Sequence, residues 1–378
     1  MLGKEQKVRK AVLILEDGSL FHGNAFGCST KVTGEIVFST GMVGYTEALT
    51  DPSYRGQILT MTYPLVGNYG VPKTSVSVLP DCFESDGIKV SGLAVHSLCK
   101  KPSHWASTRT LNDWLIDEGI PGIYGIDTRA LTKKLRDKGV MLGLLETCEA
   151  GEEPDLDKLN AEVKRIQDPN ERDLVQEVTI TQPITYPADK SGPRAVVVDC
   201  GVKYGIIRNL LRRGWEVVRV PASYTAGEIL ELRPSAVVIS NGPGDPVKTK
   251  STVQSTRQLI DEGVPIIGIC LGVQILSLAL GATTYKLKYG HRSQNQPALD
   301  LRTGRCYITT QNHGFAIDKN SLHGTGLEIS LINANDQTVE GVKHIRHPCV
   351  GVQFHPEASP GPNDTQFMFD ELLTLRGS

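Results

Sequence analysis

The chain has 378 residues, 39% of them hydrophobic and 22% charged, with a formal net charge of −2. That length exceeds one ordinary core and predicts two domains, while the composition excludes disordered and fibrous classes. The near-neutral balance gives no bulk basic field to hold nucleic acid or an anionic membrane, and no apolar run approaches the ~20 residues that span a bilayer.

The amino terminus is basic, but the apolar run Ala11–Leu15 is too short for a secretory signal and leads into Glu16-Asp17-Gly18. It reads as a strand in a cytoplasmic protein, or in an organellar one whose transit peptide has been removed. Further β-type runs cover 35–40 and 57–63. The spacing of Leu111, Trp114 and Leu115 predicts a helix over 107–117, and Leu131 with Leu135 predicts another over 128–138. Acidic, Gly- and Pro-bearing 149–154 opens a connecting segment, and 188–193 has a linker's composition. The expected division is a mixed α/β domain over 1–150, a connection over 151–193 and a second domain over 194–378.

After Pro193 the rhythm changes. Arg194–Asp199 is a continuous β-branched run, as in a strand buried on both faces. A helix is expected over 204–213, then strands at 216–220, 236–240 and 265–269. Strand and helix alternating over short connections predict an α/β domain with a doubly wound parallel sheet. Ligands bind such sheets beyond the carboxyl ends of the strands, hence just after Ser240, Ile269 and Phe354. A final helix is expected over 366–375.

Eight cysteines are scattered along the chain without a Cys-x-x-Cys pair, so no zinc ribbon or dithiol motif is present. Cys270 stands apart. The buried-strand pattern 264–269 ends in Gly268-Ile269-Cys270-Leu271-Gly272, and an apolar helix follows. This is a nucleophile elbow with Cys in the serine position. Its sharp turn demands small residues two before and two after, and the helix dipole behind the sulfur favours the thiolate. A second β-type run ends in His355-Pro356-Glu357. The carboxylate can fix one imidazole nitrogen and leave the other for the sulfur. Ser240-Asn241-Gly242-Pro243-Gly244 follows a third run, with glycines that permit close backbone approach. No phosphate loop and no dinucleotide fingerprint occurs, and His96, His104, His291 and His313 form no metal-ligand pattern. Asp127, Arg129, Lys133 and Lys134 read as a solvated helix face.

Gly268–Gln274, Gly242 with Gly244, and His355-Pro-Glu357 together resemble the triad (class I) glutamine amidotransferases. Gly41–Tyr45, Thr50–Tyr54, Gly67–Gly70, Gly125–Arg129, Gln311–Phe315 and Ala358–Pro362 further resemble the small subunit of carbamoyl-phosphate synthetase, or the equivalent region of a fused synthetase. The similarity covers nearly the whole chain. It implies Cys270 as nucleophile, His355 as general acid and base, and Glu357 as its orienting partner. It implies backbone amides of Leu271 and Gly244 on the oxyanion. Ser53, Gly242, Gln274, Asn312, Gly314 and Phe315 would hold L-glutamine. The implied partner is the large synthetase subunit or a fused synthetase domain, which would use bicarbonate and two ATP. No cofactor or metal is expected on this chain. The family usually carries His where Val273 stands, and Arg292-Ser293-Gln294 replaces a more usual Gly-bearing stretch. Other readings are a glutaminase for a different synthetase and a catalytically weak regulatory subunit. Arginine and pyrimidine synthesis are both open as destinations of the product.

Overall fold

The computed structural model describes residues 8–73, 79–188 and 192–374. The core of the expected linker, residues 189–191, and the end of the expected last helix lie outside these. The chain forms two compact units. Unit 1 comprises 1–50, 54–78 and 86–169, and unit 2 comprises 51–53, 79–85 and 170–378. The segment expected to connect the domains is thus divided at Pro169, and Ser53, expected as a residue of the first domain, belongs to unit 2.

Unit 1 is built on a closed barrel of strands Lys10–Leu15, Met141–Thr147, Lys31–Ser39, Gln57–Met61, Gly92–Val95, Pro121–Tyr124 and Leu20–Gly27, in that order around the ring. Alternate residues turn inward: Leu13, Leu15, Ile36, Ile58, Ala94, Ile123 and Leu145 share one core. Helix Thr128–Lys138 adds Leu131 and Leu135 to it, and Asp127 caps the helix by accepting from the Ala130 amide. The helix expected over 107–117 begins only at Leu111, because Thr110 caps it. Ser107–Arg109 pairs as a strand with Val71–Pro72 instead.

Unit 2 carries a ten-stranded sheet. Its centre is parallel: Glu216–Pro221, Arg194–Asp199, Ala236–Ile239, Ile266–Ile269 and Cys349–Val352 lie side by side. The β-branched run of the second strand serves both faces. Ala195 and Val197 enter one core, Val196 and Val198 the other. Beyond Cys349–Val352 the sheet continues antiparallel through Val339–His344, Leu327–Asn333, Thr284–Asp300 and Cys306–Ile317. Helices Tyr204–Arg212, Lys250–Asp261 and Leu271–Ala279 contribute buried residues to these cores. Among the described residues, no helix is long and apolar enough to cross a membrane.

Candidate active site

The strand Ile266–Ile269 hands over to helix Leu271–Ala279 through one residue, Cys270, at φ 55° and ψ −106°. Positive φ is costly for a residue with a Cβ and persists only where the surroundings impose it. Here the flanking glycines make room. A Cβ on Gly272 would lie 2.0 Å from the Ile239 carbonyl oxygen, and one on Gly268 would lie 2.7 Å from the backbone of Gly272. The sulfur therefore sits at the positive end of a nine-residue helix, as the elbow pattern predicts. It is 3.7 Å from the Asn312 carbonyl oxygen, to which the thiol can donate.

His355 comes to Cys270 from beyond Cys349–Val352. Its backbone N–H donates to the Thr310 carbonyl at 2.9 Å. Nδ1 is 2.6 Å from Glu357 Oε1, and the buried Nε2 has no hydrogen-bond partner. The ring interacts electrostatically with Cys270. Burial opposes the imidazolium, yet the Glu357 charge overrides it and holds the His355 pKa well above the usual histidine range. Burial likewise opposes the Glu357 carboxylate, but Lys203 and His355 hold its pKa well below the usual range.

Lys203 is the partner that sequence reasoning missed. It is only 2% exposed, and its Nζ lies 3.0 Å from Glu357 Oε1 and donates to the Ala358 carbonyl at 2.7 Å. The carboxyl end of Arg194–Asp199 delivers it. Asp199 Oδ1 accepts from the Gly201 and Val202 amides, and its Oδ2 is held by Arg219 at 2.8 Å. The available signal was position: this strand end was not among the three expected to carry function. Glu84 was also missed. It is fully buried, accepts from the Gly205 amide at 3.0 Å and pairs with Arg208. Burial pushes its pKa up to about 7, against the pull of Lys203 and Arg208.

The residues expected to hold glutamine are tied into this frame by hydrogen bonds. Asn241 Nδ2 donates to Ser53 Oγ at 3.0 Å, and Asn241 Oδ1 accepts from the Lys203 amide at 3.0 Å. Asn312 Nδ2 donates to Asp51 Oδ2 at 2.8 Å. Gln274 Nε2 donates to the Phe315 carbonyl at 2.8 Å and to Gln353 Oε1 at 2.9 Å. Gly242 is packed so closely that a Cβ would lie 2.0 Å from the Cys200 carbonyl oxygen, and Gly244 takes φ +84°. Gly314 and Phe315 follow Asn312 on strand Cys306–Ile317 and are half-buried. Leu271 opens the elbow helix. Val273, one turn in, is fully buried in an apolar cluster with Ala282, Ile317 and Val342.

Gln353 is a third residue unread in the sequence. Its side chain is buried and its Nε2 donates to Cys270 Sγ at 3.7 Å. Gln353→Leu keeps the volume and removes that donor together with the acceptor of the Gln274 amide. It is expected to slow glutamine hydrolysis roughly tenfold, the worth of one such bond, with kcat/KM and the melting temperature as readouts. An unchanged rate would deny the amide any influence on the sulfur.

Residues 196–375 match the family model for class-I glutamine amidotransferases, and residues 13–145 match that for the carbamoyl-phosphate synthase small chain, CPSase domain. Unit 2 carries a class I glutamine amidotransferase domain, that of a glutamine-hydrolysing enzyme. A curated carbamoyl phosphate synthase small chain of Methanocaldococcus jannaschii is 50% identical over 97% of this chain and 99% of the relative. Those of Methanopyrus kandleri and Pyrococcus furiosus are 48% and 47% identical, each over 97% of this chain and over 99% and 98% of their own lengths. The chain belongs to the carbamoyl phosphate synthase small-chain family and is its glutaminase component.

Proposed function

We propose that the chain hydrolyses L-glutamine through a Cys270–His355–Glu357 triad and delivers the ammonia to a carbamoyl-phosphate synthetase large subunit. The Cys270 sulfur attacks the side-chain amide carbon, and its S–H proton goes to His355 Nε2. The leaving nitrogen takes that proton from the imidazolium and departs as ammonia, leaving a γ-glutamyl thioester. His355 then takes a proton from water, hydroxide adds to the thioester carbon, and the C–S bond breaks to release glutamate and thiol. Glu357 holds the ring by Nδ1 and stabilises its cation. Amides of Leu271 and Gly244 receive the oxyanion. Ser53, Gly242, Gln274, Asn312, Gly314 and Phe315 hold the substrate's charged ends, which need partners once desolvated.

One observation carries this reading: a cysteine at positive φ on a helix start, with a buried imidazole beside it whose Nε2 is otherwise unpartnered. The ammonia is used with bicarbonate and ATP on the partner, to which ATP and its metal belong, and the assembly is cytoplasmic. Hydroxylamine trapping tests the intermediate. With large subunit and ATP present, glutamate release is expected to rise well above the slow rate of the isolated chain, and γ-glutamyl hydroxamate is expected to form. Failure of glutamine to support carbamoyl phosphate synthesis by the reconstituted pair would sink the partner assignment. Absence of hydroxamate during rapid turnover would sink the thioester.

A further inference from the structure

Two buried side chains with no step of their own in the reaction above hold residues assigned to glutamine. Asp51 Oδ1 accepts from the Ser53 amide at 2.9 Å, and Asp51 Oδ2 accepts from Asn312 Nδ2 at 2.8 Å. Asn241 is fully buried beyond the end of strand Ala236–Ile239, which lies beside Arg194–Asp199. Its Oδ1 accepts from the Lys203 amide at 3.0 Å, and its Nδ2 donates to Ser53 Oγ at 3.0 Å. A chain of bonds thus runs from Lys203 through Asn241, Ser53 and Asp51 to Asn312, within unit 2 throughout. At one end stands the residue whose ammonium pairs with Glu357. At the other stands the residue whose backbone carbonyl faces the Cys270 sulfur.

Counting hydrogens gives this chain a direction. A backbone N–H only donates, so the Lys203 amide fixes the oxygen of the Asn241 carboxamide and leaves its NH2 for Ser53. Ser53 Oγ is therefore an acceptor from Asn241, and its own hydroxyl hydrogen points elsewhere. A carboxylate only accepts. Asp51, whose charge faces the Lys203 ammonium, takes the NH2 of Asn312, and the Asn312 carboxamide oxygen is turned away from it. A free amino acid carries an α-carboxylate that needs donors and an α-ammonium that needs acceptors, and desolvation makes both needs strict. Ser53 is left as a donor and Asn312 as an acceptor, one for each need.

We propose that Asp51 and Asn241 are positioning residues for glutamine, which set the Ser53 hydroxyl as a donor to its α-carboxylate and the Asn312 carboxamide oxygen as an acceptor from its α-ammonium. This rests on the glutamine reading above. Neither residue acts on the amide that reacts, so both work through binding: their loss raises KM and spares kcat.

Polarity reversal and its repair test this, with glutamate release by the complex with the large subunit as the readout. Asp51→Asn keeps the size of the side chain and an acceptor for the Ser53 amide, but presents NH2 to Asn312. The Asn312 oxygen must then turn inward and its NH2 toward the ligand. KM for glutamine is expected to rise roughly tenfold, with kcat changed far less. Asp51→Asn combined with Asn312→Asp restores a donor facing an acceptor, keeps the negative charge and leaves an oxygen for the ligand. It is expected to recover most of the lost affinity. Asn241→Ala releases the Ser53 hydroxyl and is expected to raise KM roughly fivefold in the parent, but less than about twofold in a Ser53→Ala chain. A parent-like KM in Asp51→Asn, no recovery in the exchange, or an equal effect of Asn241→Ala in both backgrounds would each overturn the proposal. Should Asp51→Asn not fold, the Asn241 and Ser53 variants decide. The underlying reading fails separately, by a Cys270→Ser chain that still hydrolyses glutamine.

Discussion

Cys270→Ser is expected to lower glutamine-dependent glutamate release at least roughly a thousandfold while leaving carbamoyl phosphate synthesis from added ammonia intact in the complex with the large subunit. The reason lies in what the elbow can ionise. A thiol gives up its proton far more readily than a hydroxyl, and sulfur is the better nucleophile. A hydroxyl starts many units higher, and the same environment cannot bring it down. Serine fits the site, because the smaller oxygen replaces a sulfur in a position already opened by Gly268 and Gly272. Loss of activity would then report chemistry and not unfolding, and effects of this size follow from removing a nucleophile. Glutamate release at the parent rate would show that the sulfur is not the attacking atom.

Lys203→Met is expected to destabilise the protein by about 3–5 kcal/mol near neutral pH, the usual cost of stranding a buried charge. Lys203 faces Glu357, Glu84 and Asp51, all within unit 2, and the positive charge is what lets Glu357 stay ionised in a dry site. The sign of the pH dependence follows. Glu357 has a lowered folded-state pKa, so its contribution is present above the unfolded carboxyl value and is lost as pH falls through the lowered one. Without Lys203 that contribution disappears. Glu84, already pushed up to about 7 by burial, rises further and opposes folding over a wider range. The gap between parent and variant should therefore widen toward pH 8, and should close only as pH falls from the unfolded carboxyl value toward about 2, where Glu357 takes up its proton. Urea unfolding across that range measures it, and a gap independent of pH would mean that Lys203 acts by packing alone.

How far the sequence discloses this arrangement depends on which force shapes each element. Arg194–Asp199 is legible to the residue, because a strand buried on both faces must be apolar throughout. The elbow is legible because its geometry admits only small neighbours, and Gly268 and Gly272 stand where a Cβ would collide with backbone. Strands Thr284–Asp300 and Cys306–Ile317 escape a reading based on apolar periodicity. Their buried residues include His291, Arg292, Gln311, Asn312 and His313, whose side chains bond to polar partners. Lys203 and Glu84 hide for a similar reason: a lysine or glutamate in a sequence reads as solvated, and only the fold reveals the opposite charge waiting for it. Closure of the barrel in unit 1 rests on Lys10–Leu15 pairing with Met141–Thr147, a contact across most of that unit's length that no local pattern encodes.

That closure limits how unit 1 can be recognised. An open sheet ends in strands with unsatisfied N–H and C=O groups, onto which a foreign peptide can add as a further strand. In the ring every strand already has two neighbours. Whatever binds the barrel wall must read side chains and connecting loops, and aggregation by edge-to-edge extension of the barrel is closed to it while it stays folded.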